Sequence, residues 1–135
     1  MLKAAASLLV HGFYRNVEVR NPERIPASGP VLIAPNHPNS LVDPLLVGLT
    51  TPRRIHFVAK HTLFRFPLKL LLDWTGMIPV QRRQDAAADS AADRQAGNLQ
   101  AFEAAFKVLE RGGILGIYPE GITNDRPRLA PIKTG

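Results

Sequence analysis

The chain has 135 residues, the size of one ordinary domain, with 45% apolar and 21% charged residues, so a packed core is within reach and a wholly disordered chain is excluded. It contains no cysteine, which excludes disulfides, thiolate zinc sites, iron–sulfur clusters and cysteine nucleophiles, and its four histidines show no metal-ligand spacing. The net charge of +6 favours an anionic partner (nucleic acid, lipid headgroups or a phosphorylated substrate), and residues 1–83 carry eleven Lys and Arg against four acids, so the positive field belongs to the first part of the chain.

Residues 2–15 read as a helix that packs or lies on a surface. Its apolar stretch Ala4–Val10 falls far short of the ~20 residues that span a bilayer, and no small-residue cleavage site follows it. Val17 to Val19 is a short strand candidate. Asn21–Pro30 holds three prolines and a glycine and reads as a loop. The continuous apolar run Val31–Ala34 has the pattern of a strand buried on both faces. It runs into the turn-rich Pro35–Ser40, where Asn39 or Ser40 is placed to cap a helix over Leu41–Leu49.

Ile55–Ala59 is the next strand, and Thr62–Trp74 a helix with Pro67 near its first turns or kinking it. Ile78–Gln81 is a third strand. Asp85–Arg111 is helical, with Gly97 as the point where it would break in two, and Leu99, Phe102, Phe106 and Leu109 share one helical face. Gly112-Gly113 stops it, Ile114–Tyr118 is a fourth strand, and Pro119–Pro131 is a loop. Strands and helices alternate at α/β spacing, which predicts a mainly parallel sheet flanked by helices. Ligands of such sheets bind outside the carboxyl ends of the strands. Three polar groups fall there: His37 to Asp43, Arg82-Arg83, and Glu120.

Each group has two readings. His37, on the turn after a buried strand, is placed to act as a base, and Asp43 in the following helix could hold its other ring nitrogen and stabilise the imidazolium. The same residues also fit a helix cap with an acid favouring the dipole. Ser40 lacks a G-x-S-x-G setting and reads as a cap rather than a nucleophile. Arg82-Arg83 offers bidentate donors to a phosphate, or is simply a solvated basic strand end. Glu120 on its Pro/Gly turn could bind a substrate hydroxyl or an arginine, or be incidental to the turn.

Taken in order, Asn36-His37…Asp43, Gly76-x-Ile78-Pro79-Val80-x-Arg82 and Tyr118-Pro119-Glu120-Gly121 resemble the motifs of the glycerolipid acyltransferases, the glycerol-phosphate and lysophosphatidic acid acyltransferase family. Asp125-x-Pro127-x-Leu129-x-Pro131-x-Lys133-Thr134-Gly135 resembles the stretch after the third motif in one branch of that family. The resemblance covers residues 25–135 and divides the chain into an N-terminal helix and lead-in over 1–24, a candidate membrane contact, and an acyltransferase domain over 25–135. It implies a glycerol-phosphate acyltransferase-like fold with His37 as general base, Asp43 orienting it, Arg82 gripping the acceptor phosphate, and Glu120 and Gly121 helping to bind the acceptor.

The family usually has four residues between the histidine and the aspartate, whereas five stand here, Pro38 to Val42. An extra residue turns a helical position by ~100°, so it must lie in the turn ahead of the helix. Tyr118 stands where Phe is more usual. The family's fourth motif, an apolar strand ending in proline, is expected beyond residue 135, so the sequence reads as an N-terminal fragment, incomplete at its C-terminus, that is not relied on to be active alone.

The implied reaction moves an acyl group from acyl-CoA or acyl-carrier protein, a co-substrate, to a hydroxyl of glycerol 3-phosphate or lysophosphatidic acid, with no cofactor or metal. A membrane surface is the expected partner, through the apolar and basic Thr62–Trp74 and a peripheral or monotopic attachment at the cytoplasmic face. Two competing readings are a lipid-binding relative without catalysis and a basic nucleic-acid-binding domain. The second lacks any helix-turn-helix, zinc finger, RRM or KH pattern.

Overall fold

Helices and strands alternate through the computed structural model, which describes residues 2–39, 42–81, 91–121, 123 and 131–132. Their order is α1 (Leu2–Phe13), β1 (Val31–Ile33), α2 (Val42–Thr50), β2 (Ile55–Lys60), α3 (Leu68–Thr75), β3 (Ile78–Val80), α4 (Ala91–Glu110) and β4 (Ile114–Gly116). Single 3-10 turns occur at Pro22–Arg24 and His61–Leu63. The four strands form a sheet in the order β1-β4-β2-β3. β1 is parallel to β4, with Val31 beside Ile114 and Ile33 beside Gly116, and β2 is parallel to β3, with Val58 beside Ile78. This is the parallel α/β architecture that the alternation predicts.

The chain forms two compact units, Met1–Ala27 with Ala34–Ile55 and Tyr118–Gly135, and Ser28–Ile33 with His56–Ile117. In the first, α1 packs against α2 and buries Val10. In the second, α4 lies on β3 and β4. Its core joins Ile78 and Leu115 to Ala101 and Ala105, with Val58, Val80, Val108, Leu109 and Ile117 packed around them.

Two helices end by the same device. Gly76 and Gly112 take left-handed backbone, φ 75° and 71°, which favours glycine because a Cβ would crowd the neighbouring carbonyl. Their N–H groups donate to Asp73 O and Leu109 O, and the next residues, Met77 and Gly113, donate to Leu72 O and Val108 O. The last carbonyls of α3 and α4 are thereby satisfied, and each chain turns directly into a strand.

Several sequence expectations are corrected. Val17 to Val19 forms no strand. Val31–Ala34 is not buried on both faces: β1 is an edge strand and Leu32 is 55% exposed. The fully covered strand is β4, which has a neighbour on each side. Thr62–Trp74 is not one helix. The 3-10 turn at His61–Leu63 is separated from α3 by Phe64–Pro67, with a cis bond between Phe66 and Pro67.

Helix α4 runs through Gly97 unbroken, and the expected part before Ala91 falls on residues outside those described. A Cβ on Gly97 would come within 3.1 Å of the Gln81 side-chain amide, so a small residue lets the end of β3 pass close to the helix. The apolar face of α4 is also shifted. Ala101 and Ala105 meet the sheet, while Leu99, Phe102 and Phe106 are exposed, because small side chains let the helix approach closely and the larger ones on the adjacent face turn outward.

Gly113 is the tightest of these glycines. A Cβ there would stand 2.7 Å from Val108 O and 2.8 Å from Val108 Cγ1. Gly113→Ala is expected to lower stability by about 1–3 kcal/mol through this overpacking. Gly12→Ala in α1, where a Cβ meets nothing within 4 Å, is expected to be neutral or stabilising. Urea unfolding midpoints of the two variants check the contrast.

Candidate active site

The residues of the site leave adjacent parallel strands. Beyond the last paired residues of β1 and β4, Ile117 N–H still donates to Ile33 O at 3.0 Å. In sequence, β1 leads to His37 and β4 to Tyr118-Pro119-Glu120-Gly121. This second segment is a tight turn. Gly121 N–H donates to Tyr118 O at 2.9 Å, and Gly121 itself takes φ 65°. Glu120, within this turn, is buried, with the residue 3% exposed.

His37 and Asp43 form a closed pair. His37 Nδ1 lies 2.9 Å from Asp43 Oδ2, and both side chains are almost withdrawn from solvent. The same oxygen accepts the backbone N–H of Asn39 at 2.7 Å, while Asp43 N–H donates to Asn39 O at 3.1 Å. Asn39 is thus bonded to Asp43 through both its amide and its carbonyl, and the longer spacing still brings the Asp43 carboxylate to the histidine.

A carboxylate accepting from Nδ1–H fixes the imidazole tautomer. Nε2 then carries the lone pair and is the atom able to take up a proton, with Asp43 stabilising the resulting charge. The Tyr118 ring lies against the imidazole, with centroids 3.9 Å apart and planes inclined by 21°. Burial, and secondarily the negative charge of Asp43, push the Tyr118 hydroxyl pKa well above its ordinary value of 10.0, so the ring stays a neutral phenol.

His37, Asp43 and the Tyr118 ring are therefore in contact, and Glu120 and Gly121 sit in the turn that carries Tyr118. Arg82, Arg83 and Ser40 lie outside the described residues, as do Lys133, Thr134 and Gly135. The sequence reading missed the function of the Tyr118 ring as a neighbour of His37. The available signal was that an aromatic stands at that position in either form, Phe or Tyr.

The family model for Acyltransferase matches residues 16–135. The chain belongs to the acyltransferase family. It is 34% identical over 107 residues to a 1-acyl-sn-glycerol-3-phosphate acyltransferase of Borreliella burgdorferi, a match covering 78% of this chain and 38% of that protein. It is 28% identical over 119 residues to 1-acyl-sn-glycerol-3-phosphate acyltransferase beta of Homo sapiens, covering 87% of this chain and 39% of that protein. An uncharacterized acyltransferase of Schizosaccharomyces pombe is 38% identical over 88 residues, 60% of this chain and 13% of that protein. The acyltransferase chain thus spans well under half the length of these relatives. Their names agree with the glycerolipid group to which the motifs point.

The raised Tyr118 pKa sets an alkaline stability limit. Between the unfolded pKa near 10.0 and the higher folded one, the folded acyltransferase holds a proton that the unfolded chain loses, so stability falls as pH rises through that window. Tyr118→Phe is expected to flatten this fall, read as a smaller loss of melting temperature between pH 9 and roughly pH 11.

Proposed function

We propose that the protein transfers a fatty acyl group from a thioester, acyl-CoA or acyl-carrier protein, to a hydroxyl of glycerol 3-phosphate or lysophosphatidic acid. The observation that carries this reading is the enclosed His37–Asp43 pair in a chain of the acyltransferase family. The relatives named as 1-acyl-sn-glycerol-3-phosphate acyltransferases support the choice of acceptor.

In this mechanism His37 Nε2 removes the proton of the acceptor hydroxyl as its oxygen attacks the thioester carbonyl carbon. Asp43 holds the ring through Nδ1 and balances the imidazolium. The tetrahedral intermediate collapses, the carbon–sulfur bond breaks, and the thiolate takes the proton back from His37. The products are an ester and a free thiol. The thioester is already activated, so no covalent acyl-enzyme is required. Arg82 holds the acceptor phosphate, and Glu120 and Gly121 bind its glycerol portion.

The reading extends to a lipid surface. Among the described residues no helix is long and apolar enough to cross a membrane. Phe66 is 84% exposed, Leu63 is partly exposed, and the exposed Arg65 and Lys69 stand beside them in sequence. Lys69 is bonded to Asp73. Leu8 and Phe13 of α1 are exposed as well. Apolar side chains among cations are suited to the boundary of an anionic leaflet, which supports peripheral or monotopic attachment at the cytoplasmic face.

The test is acyl transfer by the complete gene product from labelled acyl-CoA to glycerol 3-phosphate or lysophosphatidic acid. His37→Ala is expected to lower turnover about 10²–10⁴-fold, the usual contribution of a general base. Retention of most of the rate overturns the assignment. In flotation with vesicles containing anionic phospholipid, Phe66→Ser is expected to weaken association by about tenfold, and raising salt should weaken it further. Unchanged flotation of the variant removes this segment from the proposed contact.

A further inference from the structure

We propose that Tyr118 is a positioning residue for the general base: its ring fixes the plane of the His37 imidazole. The inference rests on the reading of His37 as the base.

The bond from Nδ1 to Asp43 Oδ2 fixes the tautomer and holds one edge of the ring, but the ring can still tilt through small coupled changes of its two side-chain torsions. Such a tilt moves Nε2 away from the acceptor hydroxyl. A flat surface against one face removes this freedom, and the Tyr118 ring supplies it at 3.9 Å with an inclination of 21°. Its placement is itself constrained. The Tyr118 carbonyl closes the turn with Gly121 N–H, and Gly121 takes the left-handed backbone that this turn requires.

A neutral phenol and a phenylalanine ring both present a flat face to the imidazole, whereas an aliphatic side chain of similar bulk does not.

The experiment compares Tyr118→Leu and Tyr118→Phe with His37→Ala in the complete membrane-bound protein. Tyr118→Leu is expected to lower kcat about tenfold or more while leaving KM for donor and acceptor within about twofold, because ring orientation rather than substrate binding is lost. Tyr118→Phe should restore kcat relative to Tyr118→Leu, again with KM unmoved.

A loss confined to KM, or failure of Phe to rescue, overturns the proposal. If His37→Ala itself retains activity, the base assignment falls instead, so the two failures are distinguishable. Where Tyr118→Leu does not fold, the unmutated protein supplies the answer. Proton NMR of the His37 ring, assigned by its disappearance in His37→Ala, should show carbon-bound ring protons shifted upfield by the stacked phenol. Shifts typical of a solvated histidine overturn the proposal.

Discussion

The Asp43 carboxylate is the interaction on which the site depends. One of its oxygens accepts two donors, His37 Nδ1–H and the backbone N–H of Asn39. Bonds to a charged acceptor are worth about 1.5–3 kcal/mol each, and withdrawing one partner from an enclosed pair exposes the other to an unmet desolvation cost. The acid also stands in the first turn of α2, where the helix dipole favours negative charge. Helix capping and the holding of the His37 ring, which look like rival readings of the same residues, are here one arrangement. The bond that starts the helix also fixes where the acid stands relative to the ring.

The sheet explains why distant parts of the sequence converge. β1 and β4 are separated by two other strands in sequence but are hydrogen-bonded neighbours in the sheet. Parallel neighbours release their chains at the same end, and the bond from Ile117 to Ile33 extends that juxtaposition beyond the ladder. Gly113 sets the same geometry from the other end: its N–H is spent on the last turn of α4 and its carbonyl on Val31 N–H, so the close of the helix is directly coupled to the start of β1.

Much of this was legible in the sequence, for identifiable reasons. Apolar runs and glycine stops located all four strands, because burial period and turn chemistry are local properties. Strand order is not local. Val31–Ala34 and Ile114–Tyr118 carry nearly the same apolar pattern, yet β1 is an edge and β4 lies inside. The α4 face was misplaced because the large side chains dominated the pattern, whereas alanines fit the close approach of helix to sheet. The spacing of His37 and Asp43 announced their pairing, but the Tyr118 stack joins segments that only the tertiary fold brings together.

The additional residue between His37 and Asp43 shows what such a motif constrains. The chemistry of a base needs a distance to its acid and a direction for its free nitrogen; it does not need a residue count. Here the count differs from the usual one, yet the 2.9 Å contact is made. Two bonds tie Asn39 to Asp43, one from the Asn39 amide to the carboxylate and one from the Asp43 amide to the Asn39 carbonyl. The acid is placed by these local bonds, so the distance to the histidine survives a change in the count.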